Sequence, residues 1–241
     1  MKKRAQVTIF IIIGLIILAL IFFGVYFRKE IKETLMERAI FKGIVVEENV
    51  REAVNYISNC INDVSDLAVT YVLAQGGWIK PRYYFEYYPL LVGYWKYGDK
   101  DTSPTLETIK KEMEDFVNFY VEECMADFYR EKLIIIRVTP ETKIEIKPNK
   151  IIFDVSYPAI ILFNNVTYKV PDTPFHYEKD AELVGVYNAG KKIIDMELKN
   201  SNYVDLTYMG DLGYDVTRLP FGRDTLYLIT GKTTQLLFAT R

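Results

Sequence analysis

Lys143-Ile144-Glu145-Ile146-Lys147-Pro148-Asn149-Lys150-Ile151-Ile152-Phe153-Asp154-Val155-Ser156-Tyr157 is the stretch on which the fold class turns. From Lys143 to Lys147, charged and apolar residues alternate with period two, as in a strand with one wet face. Pro148-Asn149 breaks the run, and Ile151 to Tyr157 resumes it, so a hairpin is predicted. Toward the C-terminus, Ile160 to Val170 reads as a further strand and Tyr203 to Tyr208 as another. Thr225 to Thr230 and Thr233 to Thr240 form a hairpin turning at Gly231-Lys232. Leu133 to Val138 is a strand-sized apolar run, and Glu182 to Leu198 reads as a helix that Gly185 and Gly190 weaken.

Upstream of Lys132 the texture is helical. Val50, Val54, Ile57, Ile61, Val64, Ala68 and Tyr71 recur at three- and four-residue steps, predicting a helix from Glu47 to Gln75 that Gly76-Gly77 stops. A second helix is expected to start at Ser103-Pro104, a cap followed by a first-turn proline, with Ile109, Met113, Phe116, Tyr120 and Cys124 on one face. Cys60 lies on the apolar face of the first helix, so the two helices can pack with their cysteines facing. Outside the cytoplasm, and with no neighbouring histidine to complete a zinc site, Cys60 and Cys124 are expected to form a disulfide, the alternative being two buried free thiols.

At the start of the chain, Val7 to Phe27 is an unbroken run of 21 uncharged, mostly aliphatic and aromatic residues behind Lys2, Lys3 and Arg4. A helix of that length spans ~30 Å, the thickness of a bilayer's hydrocarbon core. It exceeds a secretory h-region and continues into Arg28-Lys29-Glu30, so it is read as a retained anchor through residues 7–27, with Lys29 to Lys42 as a stalk. The flanking cations place the N-terminus in the cytoplasm and the C-terminal body outside. The expected fold class is α+β: an N-terminal transmembrane helix, a helical membrane-proximal half, then a mainly antiparallel sheet with one further helix. The expected domains are an anchor at 1–28, a helical stalk and subdomain at 29–130, and a sheet-rich subdomain at 131–241, with 28–241 allowed as one continuous ectodomain.

Lys3-Arg4-Ala5-Gln6-Val7-Thr8-Ile9-Phe10 resembles the archaeal class III pilin leader, in which a basic stretch precedes the Gln that becomes the new N-terminus. That family carries an acidic fifth mature residue where this chain has Phe10, which makes a processed pilin-like filament subunit the second reading. Together, Gln6 to Phe10, the Cys60 helix ending in Gln75-Gly76-Gly77-Trp78, the Cys124 helix and Leu236 to Arg241 resemble an uncharacterised family of single-pass archaeal membrane proteins. The resemblance implies an architecture and a compartment, with no catalytic residues to carry over.

Half of the residues are hydrophobic, 26% are charged and the net charge is −2, as in an ordinary folded ectodomain. No basic patch interleaved with aromatics appears, so nucleic acid is not an expected partner. His176 is the only histidine, which excludes His-based metal clusters, and no cofactor or catalytic set is expected. Gly231-Lys232-Thr233 lacks the earlier glycine of a phosphate loop. Asp205, Asp211, Asp215 and Asp224 match no calcium loop and read as turn residues.

The richest segment runs from Trp78 to Tyr97, where Trp78, Tyr83, Tyr84, Phe85, Tyr87, Tyr88, Tyr94, Trp95 and Tyr97 place nine aromatics in 20 residues. Such side chains serve interfaces, sugar stacking and the bilayer headgroup layer, or cover a core as a long ordered connection. Asn165-Val166-Thr167 is a candidate glycosylation triplet. The expected role is a membrane-anchored structural or interaction protein of the cell envelope. Its expected partners are the lipid bilayer, an unidentified protein or surface polymer, and, as an option, further copies of itself. An extracytoplasmic enzyme is the third reading.

Overall fold

In the computed structural model, residues 48–126, 128, 133–136, 138–170, 173–199, 210 and 212–241 are described. Contacts divide the chain into two units, Met1–Arg51 and Glu52–Arg241, and the sheets and the candidate site belong to the second. Helix α1, Glu48–Ala74, ends as its sequence predicts: Gly76 and Gly77 take φ of 74° and 88°, and Gly77 N–H donates to Val72 O at 2.8 Å. Helix α2, Leu106–Ala126, starts later than expected because Thr105, not Ser103, is its cap. The Thr105 hydroxyl accepts from Thr108 N–H at 3.1 Å, while Ser103 bonds to Asp101. Cys60 and Cys124 are bonded, with Cα atoms 5.9 Å apart, so the disulfide pins α1 to α2.

The aromatic segment is no irregular connection. Strands β1, Tyr84–Tyr87, and β2, Leu90–Tyr97, make an antiparallel hairpin, and the short β3, Lys100–Asp101, pairs with the far end of β2. After α2 come β4, Leu133–Ile136; β5, Glu141–Lys147; β6, Lys150–Ser156; β7, Ile160–Phe163; β8, Val166–Lys169; and β9, Phe175–Asp180. The predicted Pro148-Asn149 hairpin is β5–β6, in register from Lys147 opposite Lys150. The single strand expected from Ile160 to Val170 is two, because Asn164 and Asn165 adopt φ of 50° and 63° and reverse the chain in a two-residue turn. Helix α3, Leu183–Lys199, is followed by β10, Asp215–Phe221; β11, Asp224–Thr230; and β12, Gln235–Thr240.

These strands form a sheet of order β1-β2-β12-β11-β10 with β3 alongside β2, a second of order β4-β7-β8 and a third of order β5-β6-β9. All ladders are antiparallel except β12 against β2. The free edge of β5 is covered by α2, where Glu114 accepts the Ile144 N–H at 3.0 Å.

The expected fold class is therefore corrected. Among the described residues there are three helices, none long and apolar enough to cross a membrane, and antiparallel strands dominate an α+β body. The helical first half followed by a sheet-rich second half is also overturned. β12 inserts between β2 and β11, so strands from both ends of the body share one sheet, a pairing that no local pattern encodes. The run at residues 7–27, the stalk at 29–42 and the strand expected at 203–208 lie outside the described residues.

Candidate functional site

The aromatics of Trp78 to Tyr97 divide between the core and the surface. Trp95 is fully buried: its Nε1–H donates to Gly76 O at 2.8 Å and its ring stacks on Phe238 with centroids 4.4 Å apart. Gly190 of α3 meets the same ring, and a Cβ there would stand 2.7 Å from Trp95 Cζ3. The glycine that weakens the helix in sequence is what lets the helix approach the indole. Trp78 is half-buried, while Tyr83, Tyr84, Tyr87, Tyr88 and Tyr97 are exposed, Tyr88 at 97%.

One residue step on β12, from Ala239 to Thr240, matches two on β2, from Tyr94 to Lys96. This bulge turns Tyr94 and Tyr97 to the same side, with ring centroids 5.3 Å apart. On that side Arg82 lies over Tyr83, Tyr83 stacks on Tyr97 at 4.9 Å, and Arg241 lies over both Tyr97 and Tyr94. Arg241 also forks onto Asp224 through Nε at 2.7 Å and Nη2 at 2.8 Å, and the Tyr94 hydroxyl donates to the same carboxylate at 2.8 Å. The Arg241 guanidinium holds the Asp224 carboxyl below the usual range, and burial pushes the Tyr94 hydroxyl up.

The sheet curls around this face. β1 and β10 stand four strand spacings apart in order, about 19 Å on a flat sheet. Yet Phe85 and Phe221 approach to 5.3 Å between ring centroids, and Tyr87 and Phe221 to 6.4 Å. Inside the curl, Val92, Tyr94, Leu226 and Ala239 form a buried cluster with Phe85, Leu90 and Leu237 packed against it. At the mouth, Tyr87, Phe221 and Leu219 remain exposed. Phe221 and Leu219 escaped sequence reasoning, and Asp224, read there as a turn residue, and Arg241 were given no part in the site, because they lie far along the chain and only the β12–β2 pairing brings them to the hairpin.

A cleft of about 590 Å³ opens where the curl meets α1, floored by Val69, Leu73, Leu90, Leu228 and Leu237 and rimmed by Lys179 and Lys232. Lys179 is paired with Asp66, which also accepts from the Tyr177 hydroxyl at 3.0 Å. The Gly231-Lys232-Thr233 turn on this rim is the predicted hairpin, closed by Gly231 N–H donating to Thr234 O at 2.8 Å.

His176 lies on the exposed face of β9 between two carboxylates, Nδ1 at 2.8 Å from Asp154 and Nε2 at 3.4 Å from Glu178. Hydrogen bonding to Asp154 raises its pKa, and Glu178 adds to the effect. Both ring nitrogens are engaged, and the residue sits in a surface ion cluster with Lys150. Asp215 and Asp224 fall at opposite ends of the β10–β11 hairpin, while Asp205 and Asp211 lie outside the described residues. Among the described residues no group of three or more His, Cys, Asp or Glu is placed to hold a metal ion.

The candidate site is thus the mouth of the curled sheet, a tyrosine-rich rim over a polar lock, bordered by β1, which among the described residues pairs with β2 alone. Comparisons with protein families, curated proteins and solved structures find no match.

Proposed function

We propose that the chain is an extracytoplasmic interaction protein of the cell envelope that binds a protein or surface-polymer partner along β1 and the tyrosine rim. The observation that carries this is the state of β1. Among the described residues it has a ladder partner on one side only, and it presents Tyr84 and Tyr87 in solvent beside the Tyr88 turn. An unpaired edge offers backbone donors and acceptors, and tyrosines add rigid, amphipathic contact area at low entropic cost. The polar lock beneath keeps the rim in place before any partner arrives. The disulfide supports an oxidising compartment, and the apolar sequence of residues 7–27 supports a membrane address.

A photo-crosslinking amino acid at Tyr88 in the full chain, in intact cells, tests this. The expected outcome is one discrete adduct, lost when Tyr84 and Tyr87 are replaced by alanine and absent when the crosslinker stands at Lys143. An adduct of twice the chain mass would make the partner a second copy. The same smear of adducts from Tyr88 and Lys143 would end the proposal. Intact mass addresses the filament alternative, since loss of Met1 to Ala5 would shift the assignment to a processed pilin-like subunit.

A further inference from the structure

Asn165, in the turn between β7 and β8, begins Asn165-Val166-Thr167, the chain's only Asn-x-Ser/Thr triplet, whose last two residues open β8, and all three residues are exposed. The Asn165 carboxamide has no hydrogen-bond partner among the described residues. Its φ of 63° sets it at the apex of a two-residue turn, clear of both strands.

Among the described residues, the sheet that this turn ends has a partly exposed apolar face. Cross-strand register lines up Ile134, Leu162 and Thr167 in one row and Ile136, Ile160 and Lys169 in the next. Ile134 is 61% exposed and Ile136 45%. Aliphatic side chains in a row on a three-stranded sheet with two edges are an association hazard for a folded chain. The triplet's threonine stands in the first row, two strand spacings or about 10 Å from Ile134, within the sweep of an oligosaccharide rooted at the turn.

We propose that Asn165 carries an N-linked oligosaccharide that shields the outer face of β4, β7 and β8. The co-reactant is a lipid-phosphate- or lipid-pyrophosphate-linked oligosaccharide, delivered by a membrane transferase. The Asn165 amide nitrogen forms a bond to the anomeric carbon, that carbon's bond to the phosphate oxygen breaks, and the carrier leaves with the phosphate as the amide gives up one proton. A bulky, hydrated chain at this position separates the isoleucine face from other molecules without entering the core. The inference rests on the extracytoplasmic placement proposed above, because donor and transferase act outside the cytoplasm.

The test uses the full chain purified from its own membranes, with tandem mass spectrometry of the Asn165 peptide and light scattering of the intact protein. Asn165→Asp removes the acceptor amide while keeping a residue that tolerates positive φ, so the turn survives. Thr167→Ala removes the hydroxyl that completes the triplet while leaving the acceptor amide, and Thr167→Ser keeps the triplet. Sugar mass increments are expected on the wild type and Thr167→Ser and on neither of the others, with several-fold more aggregate in those two. An unmodified Asn165 in the wild type overturns the proposal. The redox state of Cys60 and Cys124 in the same digest then tells whether the extracytoplasmic placement falls with it. A glycan whose loss leaves aggregation unchanged overturns the shielding role.

Discussion

Trp95 and Tyr88 belong to one aromatic-rich segment and occupy opposite environments, one at 0% and the other at 97% exposure. Trp95→Ala is expected to cost about 3–5 kcal/mol, and Tyr88→Ala to stay within about 0.5 kcal/mol of wild type, as read from urea unfolding. Similar losses for both would contradict the buried assignment of Trp95. Sequence alone could place nine aromatics together but could not sort them, because burial was decided by α3 and β12. His176 allows a pH prediction. Its folded pKa is raised by Asp154, so its contribution to stability is complete below the ordinary histidine value of ~6.5 and is lost as pH rises through the folded pKa. As the chain's only histidine it gives a single set of ring resonances, and Asp154→Asn should move that titration down toward the ordinary range. An unmoved titration would show that the ion cluster does not form in solution.

Among the elements, helices α1 and α2 were legible to within a few residues because amphipathic spacing and glycine stops are local signals. Their disulfide was also legible, from the expected extracytoplasmic placement and the lack of a neighbouring histidine to complete a zinc site. Opening it is expected to cost about 4 kcal/mol in the chain-entropy treatment, given the sequence separation of 64, and a Cys60→Ser/Cys124→Ser pair should show this as a lowered urea midpoint. A midpoint within error of wild type would mean that packing alone holds the two helices. The β5–β6 hairpin was readable from its alternation and Pro-Asn break, whereas β7 and β8 were merged into one strand. The tandem asparagines carried the missing signal, as both residues tolerate the positive φ that a two-residue turn requires.

For the whole body, β12 lies between β2 and β11, and this position should control cooperativity. Hydrogen exchange is expected to be slowest in β11 and β12 and fastest in the edge strands β1 and β10, as measured by mass spectrometry on the full chain. Uniform protection across the sheet would argue against free edges and against β1 as the docking element. The α+β content, the helix stops, the pairing of Cys60 with Cys124 and the aromatic segment were all readable from the chain, because each rests on contacts near in sequence or on residue chemistry. Long-range packing alone set which tyrosines face solvent, joined Arg241 and Asp224 in a lock on Tyr94, and curled the sheet until Phe85 meets Phe221. Those features depend on a parallel pairing between strands more than a hundred residues apart, and the backbone hydrogen bonds that make such a ladder carry no side-chain code.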